Sequence, residues 1–330
     1  MANIVVTGGL GFVGANLIPE LAKHHSITTI DHGTPAYGSD LVQMREALVS
    51  SHAEIVRQDI CDLDGSVFQR SSAAHFPDLI VHLAAWPGVR ESIAKQDEYF
   101  HNNVIASQRI LTLARTYNIP TIMTSSSSVY GDRGQYGPCR EEDATGDGLR
   151  SAYSRSKWIT ESWCQTVAST LPPVLFIRPF TLYGPLGRPD MAYFSFAKNI
   201  LQGRPIRVFG DLKSQRDFTF IRDAIYYLTG LIEAMLDNAH AITSYFRLEN
   251  GTAVANICNG QPERLSTLLD VLESELSATA KVNFLPASEL DLRGTFGDPS
   301  KLHSLITPQR TDFREGLRAF CEWLRVSASD

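Results

Sequence analysis

Tyr153 and Lys157 stand four residues apart in Tyr153-Ser154-Arg155-Ser156-Lys157, a spacing that puts both side chains on one face of a helix. A phenol is a poor base at neutral pH, its ordinary pKa being about 10. A neighbouring ammonium and an oxidised nicotinamide would each favour the phenolate and bring that value down. Upstream lies a hydroxyl-rich run, Ser125-Ser126-Ser127-Ser128-Val129-Tyr130-Gly131. A serine there can hold a reacting alcohol while the tyrosine takes its proton and hydride leaves the same carbon. Lys157 can also bind the nicotinamide ribose. A Tyr and a Lys at this spacing also occur on ordinary helix surfaces, so their surroundings decide.

Those surroundings begin with Thr7-Gly8-Gly9-Leu10-Gly11-Phe12-Val13-Gly14. It follows the β-branched run 4–7 and opens a helical pattern over 12–23. From Gly9 it reads GxGxxG, and Gly8, Gly11 and Gly14 recur at three-residue spacing. Glycines there permit a tight turn, let a pyrophosphate approach the backbone and allow close helix–strand packing. Free N–H groups at the helix start then meet the phosphates. Such turns also occur without a ligand, and Asp31 supplies the context. It closes the next strand, where a carboxylate accepts hydrogen bonds from the adenosine ribose and repels a 2′-phosphate, favouring NAD over NADP. Asp59-Ile60 ends the following strand and has two readings, a wall beside adenine or a solvated turn.

Further short apolar strands read at 27–31, 54–57, 79–83, 121–125 and 174–178, with helices at about 95–117 and 152–168. Ile105, Ile110, Leu111 and Leu113 give the first of these helices an apolar face. Repeated strand–helix units imply an α/β fold, a Rossmann-type doubly wound parallel sheet that binds ligands beyond its strand ends. After Arg178, prolines and glycines break the pattern into shorter elements. They suggest a smaller, interleaved α/β substrate-binding region, with 254–256 returning to the main sheet. We assign 1–180 and about 217–260 to the dinucleotide-binding unit, and about 181–216 and 261–330 to the smaller region. The segment 131–150 reads as a mobile lid or, by preference, a solvated loop.

Composition excludes other classes. The chain has 330 residues, 43% of them hydrophobic and 20% charged, enough to bury a sizeable core. Thirty basic residues against 36 acidic ones leave a formal charge of −6, which argues against nucleic acid as a partner. The longest mostly apolar run, 225–236, contains Glu233 and is too short to span a bilayer. No basic leader precedes the first strand. The five cysteines are scattered with no CxxC or Cys/His spacing, so neither a disulfide framework nor a metal site is expected. A cytoplasmic protein is the expectation.

On these residues the chain resembles the extended short-chain dehydrogenase/reductase family, in its nucleotide-sugar epimerase/dehydratase branch. Within it the chain is most similar to UDP-glucuronate 4-epimerases. The strings that carry the likeness are HLAAWPGVRES at 82–92, SSSSVYG at 125–131, YSRSK at 153–157, RPFTLYGPLGRPDMA at 178–192 and RDFTFIRD at 216–223. The resemblance implies Tyr153 as catalytic base, Lys157 as its electrostatic partner and Ser126 as the hydroxyl on the sugar O4. It implies that Phe12 and Val13 contact the pyrophosphate and that Leu83, Ala84 and Ala85 line the cofactor, with Asn103 supporting that wall. Pro179, Phe180 and Thr181 would border nicotinamide and sugar. Arg188, Arg216 and Arg293 become candidate diphosphate or uridine-ribose ligands, with Asp190 orienting Arg188. Pro87, Gly88 and Arg90 fall at the sugar end, where Arg90 can attract a carboxylate or merely pair within its loop. A homodimer through the helices at 95–117 and 152–168 is also implied.

Relatives in the branch differ at positions that can be read here. Hexose 4,6-dehydratases carry an Asp-Glu pair where this chain has Ser127 and Ser128, and UDP-glucuronate decarboxylases typically place a glutamate at Ser128. Their absence favours an epimerase, with the three hydroxyls of Ser127, Ser128 and Thr181 restraining the sugar carboxylate. A 4-epimerase of a neutral UDP-hexose or hexosamine is the alternative, followed by a related dehydratase or decarboxylase. Trp86-Pro87 and Pro179 depart from the branch pattern, at the sugar pocket and beside the nicotinamide.

Overall fold

The computed structural model describes residues 1–33, 39–69, 76–287 and 292–327. The first strands are β1 (Asn3–Thr7), β2 (Ser26–Ile30), β3 (Glu54–Val56), β4 (Leu79–His82), β5 (Thr121–Thr124) and β6 (Val174–Pro179). Then come β7 (Thr181–Tyr183), β8 (Ile206–Phe209), β9 (Gln215–Phe220), β10 (Ala253–Ile257), β11 (Pro262–Arg264) and β12 (Val282–Leu285). The main sheet runs β10-β6-β5-β4-β1-β2-β3, with every pairing parallel. Strand order reverses between β1 and β4, which opens a crevice beyond their carboxyl ends. The return of 254–256 to the main sheet is as expected from the sequence.

Helices cover both faces: α1 (Phe12–Leu21), α2 (Ser39–Ser50), α3 (Gln96–Phe100), α4 (Ala106–Tyr117), α5 (Ala152–Val167), α6 (Ala192–Leu201) and α7 (Ile221–Tyr245). The period-2 alternation of strands sorts their side chains. Ile4, Val6, Leu79 and Val81 join one core with α1 and α7; Val5, Ile80 and Met123 join another with Ile110, Leu111 and Leu113 of α4. Strands buried on both sides are apolar throughout, so β4 reads Leu-Ile-Val before ending in a buried His82.

The smaller region is built from a three-stranded sheet, β11-β9-β7, and the β12-β8 pair. Residues 293–298 form an extended strap beside β9. On one side Gln215 donates to the Arg293 carbonyl (3.1 Å) and Thr295 to that of Gln215 (3.2 Å). On the other, Cys139 donates to Phe296 (2.8 Å) and Asp298 to Cys139 (2.9 Å). Asp217 of β9 is fully buried. It accepts from the backbone N–H groups of Asn259 (2.9 Å), Gly260 (3.1 Å) and Gly297 (3.0 Å). Burial pushes its carboxyl up to about 6, against the pull of those hydrogen bonds.

Two expectations are corrected. The helix over 95–117 is interrupted by a π-helical turn, His101–Ile105, and Ile105 faces outward at 38% exposure. The segment 131–150 is no solvated loop at its centre, for Glu141 is buried. The Glu141 carboxylate accepts from Asn256 N–H (2.9 Å), and its carbonyl accepts from Arg178 (2.6 Å). Among the described residues no helix is long and apolar enough to cross a membrane.

Candidate active site

The glycine loop meets the start of β4's exit segment too closely for side chains. A Cβ on Gly8, whose φ is +75°, would lie 2.6 Å from the Ala84 nitrogen. One on Gly14 would lie 2.5 Å from the Gly8 oxygen. Gly11 caps α1, so Phe12 and Val13 open the helix with N–H groups that have no partner within it. Asp31 follows β2 directly. Its Oδ2 accepts from Leu10 N–H (3.0 Å) and its Oδ1 from Gly33 N–H (2.8 Å), so the loop fixes the carboxylate's direction. Asp59 caps a short turn, its Oδ1 accepting from Cys61 N–H (2.8 Å), and Ile60 is buried.

Leu83, Ala84 and Ala85 pass over the loop, Leu83 N–H donating to the Thr7 carbonyl (3.0 Å). Asn103, wholly buried in the π-turn, braces this wall. Its Oδ1 accepts from Trp86 N–H (2.7 Å), and its Nδ2 donates to the Trp86 carbonyl (3.1 Å) and to Ser156 Oγ (3.0 Å). The wider π-turn lets one amide reach both the wall and α5. Tyr99 donates to the Pro87 carbonyl (2.6 Å) and packs edge-on against both Trp86 and Tyr153. Tyr99 was not singled out in the sequence.

Ser151 starts α5 with a hydroxyl cap on Ser154 N–H (3.0 Å), so Tyr153 and Lys157 emerge on its inward face. Ser126 accepts from Ser128 N–H (3.1 Å) and stands against the Tyr153 phenol. Burial raises the Tyr153 pKa, while the Ser126 hydrogen bond and the Arg188 charge pull it down. Lys157 is buried, donates to the Thr124 carbonyl (2.8 Å) and is pushed down to about 8 by burial, with Glu161 opposing. His82 bridges Thr7 (2.7 Å) and Ser107 (3.0 Å). Burial, then the Lys157 charge, press it down to about 3 and keep it neutral. The hydroxyls of Thr124, Ser125 and Ser128 are buried without a hydrogen-bond partner. Hydroxyls orphaned around a crevice are what a polar ligand satisfies.

On the substrate side the arginines separate. Arg188 grips Asp190 through Nε (3.1 Å) and Nη2 (2.6 Å), as expected, and lies beside Gly88. With its effect on Tyr153, that places Arg188 near the Tyr153 phenol. Arg216 donates to the Gln215 carbonyl (2.8 Å), and Arg293 adjoins it through the Gln215 backbone pair. Arg90 rests with its guanidinium 3.7 Å over the Phe209 ring of β8. Pro179 ends β6, and Phe180 stacks on Tyr130 at 5.9 Å. Thr181 opens β7.

Beneath the site runs a buried ionic network that sequence reasoning missed. Arg178 forks onto Glu161 (3.0 and 2.6 Å) and donates to Tyr130 Oη (2.9 Å), which donates to Asn256 Oδ1 (2.6 Å). A signal was present: Glu161 lies one helical turn beyond Lys157 on the same face of α5.

A glycine cradle at the switch point of a doubly wound sheet, with Ser, Tyr and Lys beyond β5, is the layout of an extended short-chain dehydrogenase/reductase. The chain belongs to the NAD dependent epimerase/dehydratase family, which its residues 4–244 match. It is 30% identical over 328 residues to a probable UDP-glucuronate 4-epimerase of Rhizobium meliloti (strain 1021), covering 97% of this chain and 96% of that one. It is 33% identical over 342 residues to UDP-glucuronate 4-epimerase 1 of Arabidopsis thaliana, covering 97% and 76%. Among solved structures, UDP-glucuronic acid 4-epimerase from Bacillus cereus in complex with UDP-glucuronic acid and NAD is similar at a TM-score of 0.85. Its identity is 29%, over 98% of this chain and 99% of that one.

Proposed function

We propose that this chain inverts C4 of UDP-glucuronate to give UDP-galacturonate through a 4-keto sugar, using NAD. The observation that carries the reading is Tyr153 and Lys157 on the capped first turns of α5, beside the glycine cradle, with serines at 127 and 128 where eliminating enzymes need carboxylates. The residues fit NAD: a side chain at Gly8 or Gly14 would fill the cradle, Asp31 is oriented by the loop, and orphaned hydroxyls surround the crevice. When bound, NAD would supply a reversible acceptor for the C4 hydride.

The protein's own groups do the rest. The Tyr153 oxygen takes the O4 proton and later gives it back, so no proton is lost overall. Ser126 Oγ holds O4 in line with that phenol. Lys157 places an ammonium under the cofactor ribose. Arg188 and Gly88 meet the sugar end, and Arg216 with Arg293 the nucleotide end. A ketone at C4 beside the C5 carboxylate makes a β-keto acid, prone to lose CO₂ when the breaking bond stands perpendicular to the carbonyl plane. Ser127, Ser128 and Thr181 hold the carboxylate away from that geometry.

Residues 1–180 with about 217–260 make up the cofactor-binding unit in this reading, with β9 at the border pairing into the smaller region's sheet, and the remaining segments the substrate-binding region. The enzyme works in the cytoplasm, a reading supported by its free cysteines. It pairs as a homodimer through α3–α5, supported by the outward-facing Phe100, Ile105 and Ile159.

Proton NMR of the purified protein with NAD and a panel of UDP-sugars tests the function. UDP-galacturonate formed from UDP-glucuronate without net NADH or CO₂ is expected. Steady NADH accumulation would make it a dehydrogenase, and turnover of neutral UDP-hexoses alone would move the substrate class.

A further inference from the structure

The turn that presents Arg188 is held in a backbone conformation its residues do not favour. Leu186 has a φ of +59°, a region that bulky L-residues avoid. Gly184 stands at φ +139°, and a Cβ on Gly187 would run into the Tyr193 hydroxyl. Such strain persists only where surrounding groups over-determine it.

Those groups come from the dinucleotide-binding side. Arg45 of α2 is 3% exposed. Its Nε and Nη2 donate to the Leu186 carbonyl (3.1 and 2.7 Å), and Nη2 also donates to the Gly187 carbonyl (3.0 Å). Asn16 of α1 adds a bond to the Pro185 carbonyl (3.4 Å). A planar fork on successive carbonyls fixes the direction of the peptide as well as its place. The direction of the Leu186 carbonyl is what its left-handed conformation sets. Burying a guanidinium is a costly way to fill volume, so its geometric work stands out.

We infer that Arg45 is a positioning residue for the substrate site, clamping the 184–188 turn so that Arg188 faces the sugar of the bound UDP-sugar. The inference rests on the functional reading above and extends it. It joins α2, just beyond the Asp31 strand end, to the arginine beside Tyr153. Lysine at position 45 keeps the charge but lacks the fork.

The test is a double-mutant cycle in the holoenzyme, with R45K, R188K and R45K/R188K assayed on UDP-glucuronate. R45K is expected to lower kcat/KM about tenfold, chiefly through KM, with NAD content unchanged, and the double variant to be no worse than R188K. Multiplying effects, or a wild-type KM in R45K, would overturn the proposal. Hydrogen exchange without substrate gives an arm independent of substrate identity. Peptides over 184–191 should exchange about tenfold faster in R45K while those over 152–167 hold. Unchanged exchange at the turn, or an equal rise everywhere, would overturn the clamp. Failure of the wild type to turn over UDP-glucuronate would remove the functional reading and leave the exchange arm decisive. Should R45K not fold, L186G serves: glycine frees the carbonyl to leave the fork, so KM should rise several-fold and exchange at the turn quicken. A wild-type KM and exchange in L186G would refute the clamp.

Discussion

At the catalytic end, Ser126, Tyr153 and Lys157 come from one strand exit and the helix that follows it. They are set by a hydroxyl helix cap and a carbonyl contact within β5–α5. At the proposed substrate end, Thr181, Arg188, Arg216 and Arg293 come from four short segments of the chain. There, buried side chains reach across the chain to hold backbone. Asp217 gathers three N–H groups from two distant stretches, and Arg45 grips two carbonyls from the other half of the molecule. Regular elements hold the chemistry, where small displacements are most expensive. Side chain-to-backbone ties hold the recognition surface, which can then vary in sequence without disturbing the catalytic frame.

The contrast can be broken first at its catalytic end. Y153F should slow epimerisation by about 10³-fold, the range of lost acid–base catalysis, while leaving NAD content and thermal stability unchanged. Residual turnover near wild type, followed by NMR, would remove the phenol from the chemistry. Next comes the network beneath it. E161Q leaves the Arg178 guanidinium buried without its anion and should cost about 3 kcal/mol in denaturant unfolding. Because Glu161 opposes the burial that brings Lys157 to about 8, the same variant should begin its alkaline loss of activity at lower pH.

At the substrate end the expected effects are smaller. Asp217 has its carboxyl raised to about 6 when folded, above an unfolded value near 3.9. Its contribution to stability is therefore full below the unfolded pKa and lost as pH rises through about 6. Wild type should gain about 1 kcal/mol over D217N on going from pH 7 to pH 5, read from paired unfolding curves. A parallel pair of curves would show that Asp217 titrates normally. Smallest of all, T181A should raise the decarboxylated pentose by-product about threefold with little change in total turnover. An unchanged product ratio by NMR would take Thr181 out of the restraint.

Local pattern made the catalytic end legible. The glycines at 8, 11 and 14, the carboxylate at 31, and the Tyr–Lys pair all lie where a strand ends or a helix turns, and each was found in its expected place. The ring beneath Arg90 was not legible because a loop arginine has many partners in reach, and only the folded chain shows Phe209 there. Segment 131–150 was read as solvated because it is rich in acids. Its burial depends on Arg178 and Asn256, residues remote in the chain. Tyr99 and Asn103 escaped full notice for a related reason, since their contacts to Trp86 and Pro87 require a π-turn that no periodicity announces.

By itself the amino-acid order determined the alternating strands and helices, the cradle for a pyrophosphate and the spacing of base and ammonium, because these follow from periodicity and backbone sterics over a few residues. Which arginine lies beside Tyr153, which carboxylates go underground and where Lys157 and Asp217 titrate were decided only by the tertiary structure. Those properties depend on burial and on charges contributed by segments scores of residues away, and electrostatic energy is a function of distance in space rather than along the chain.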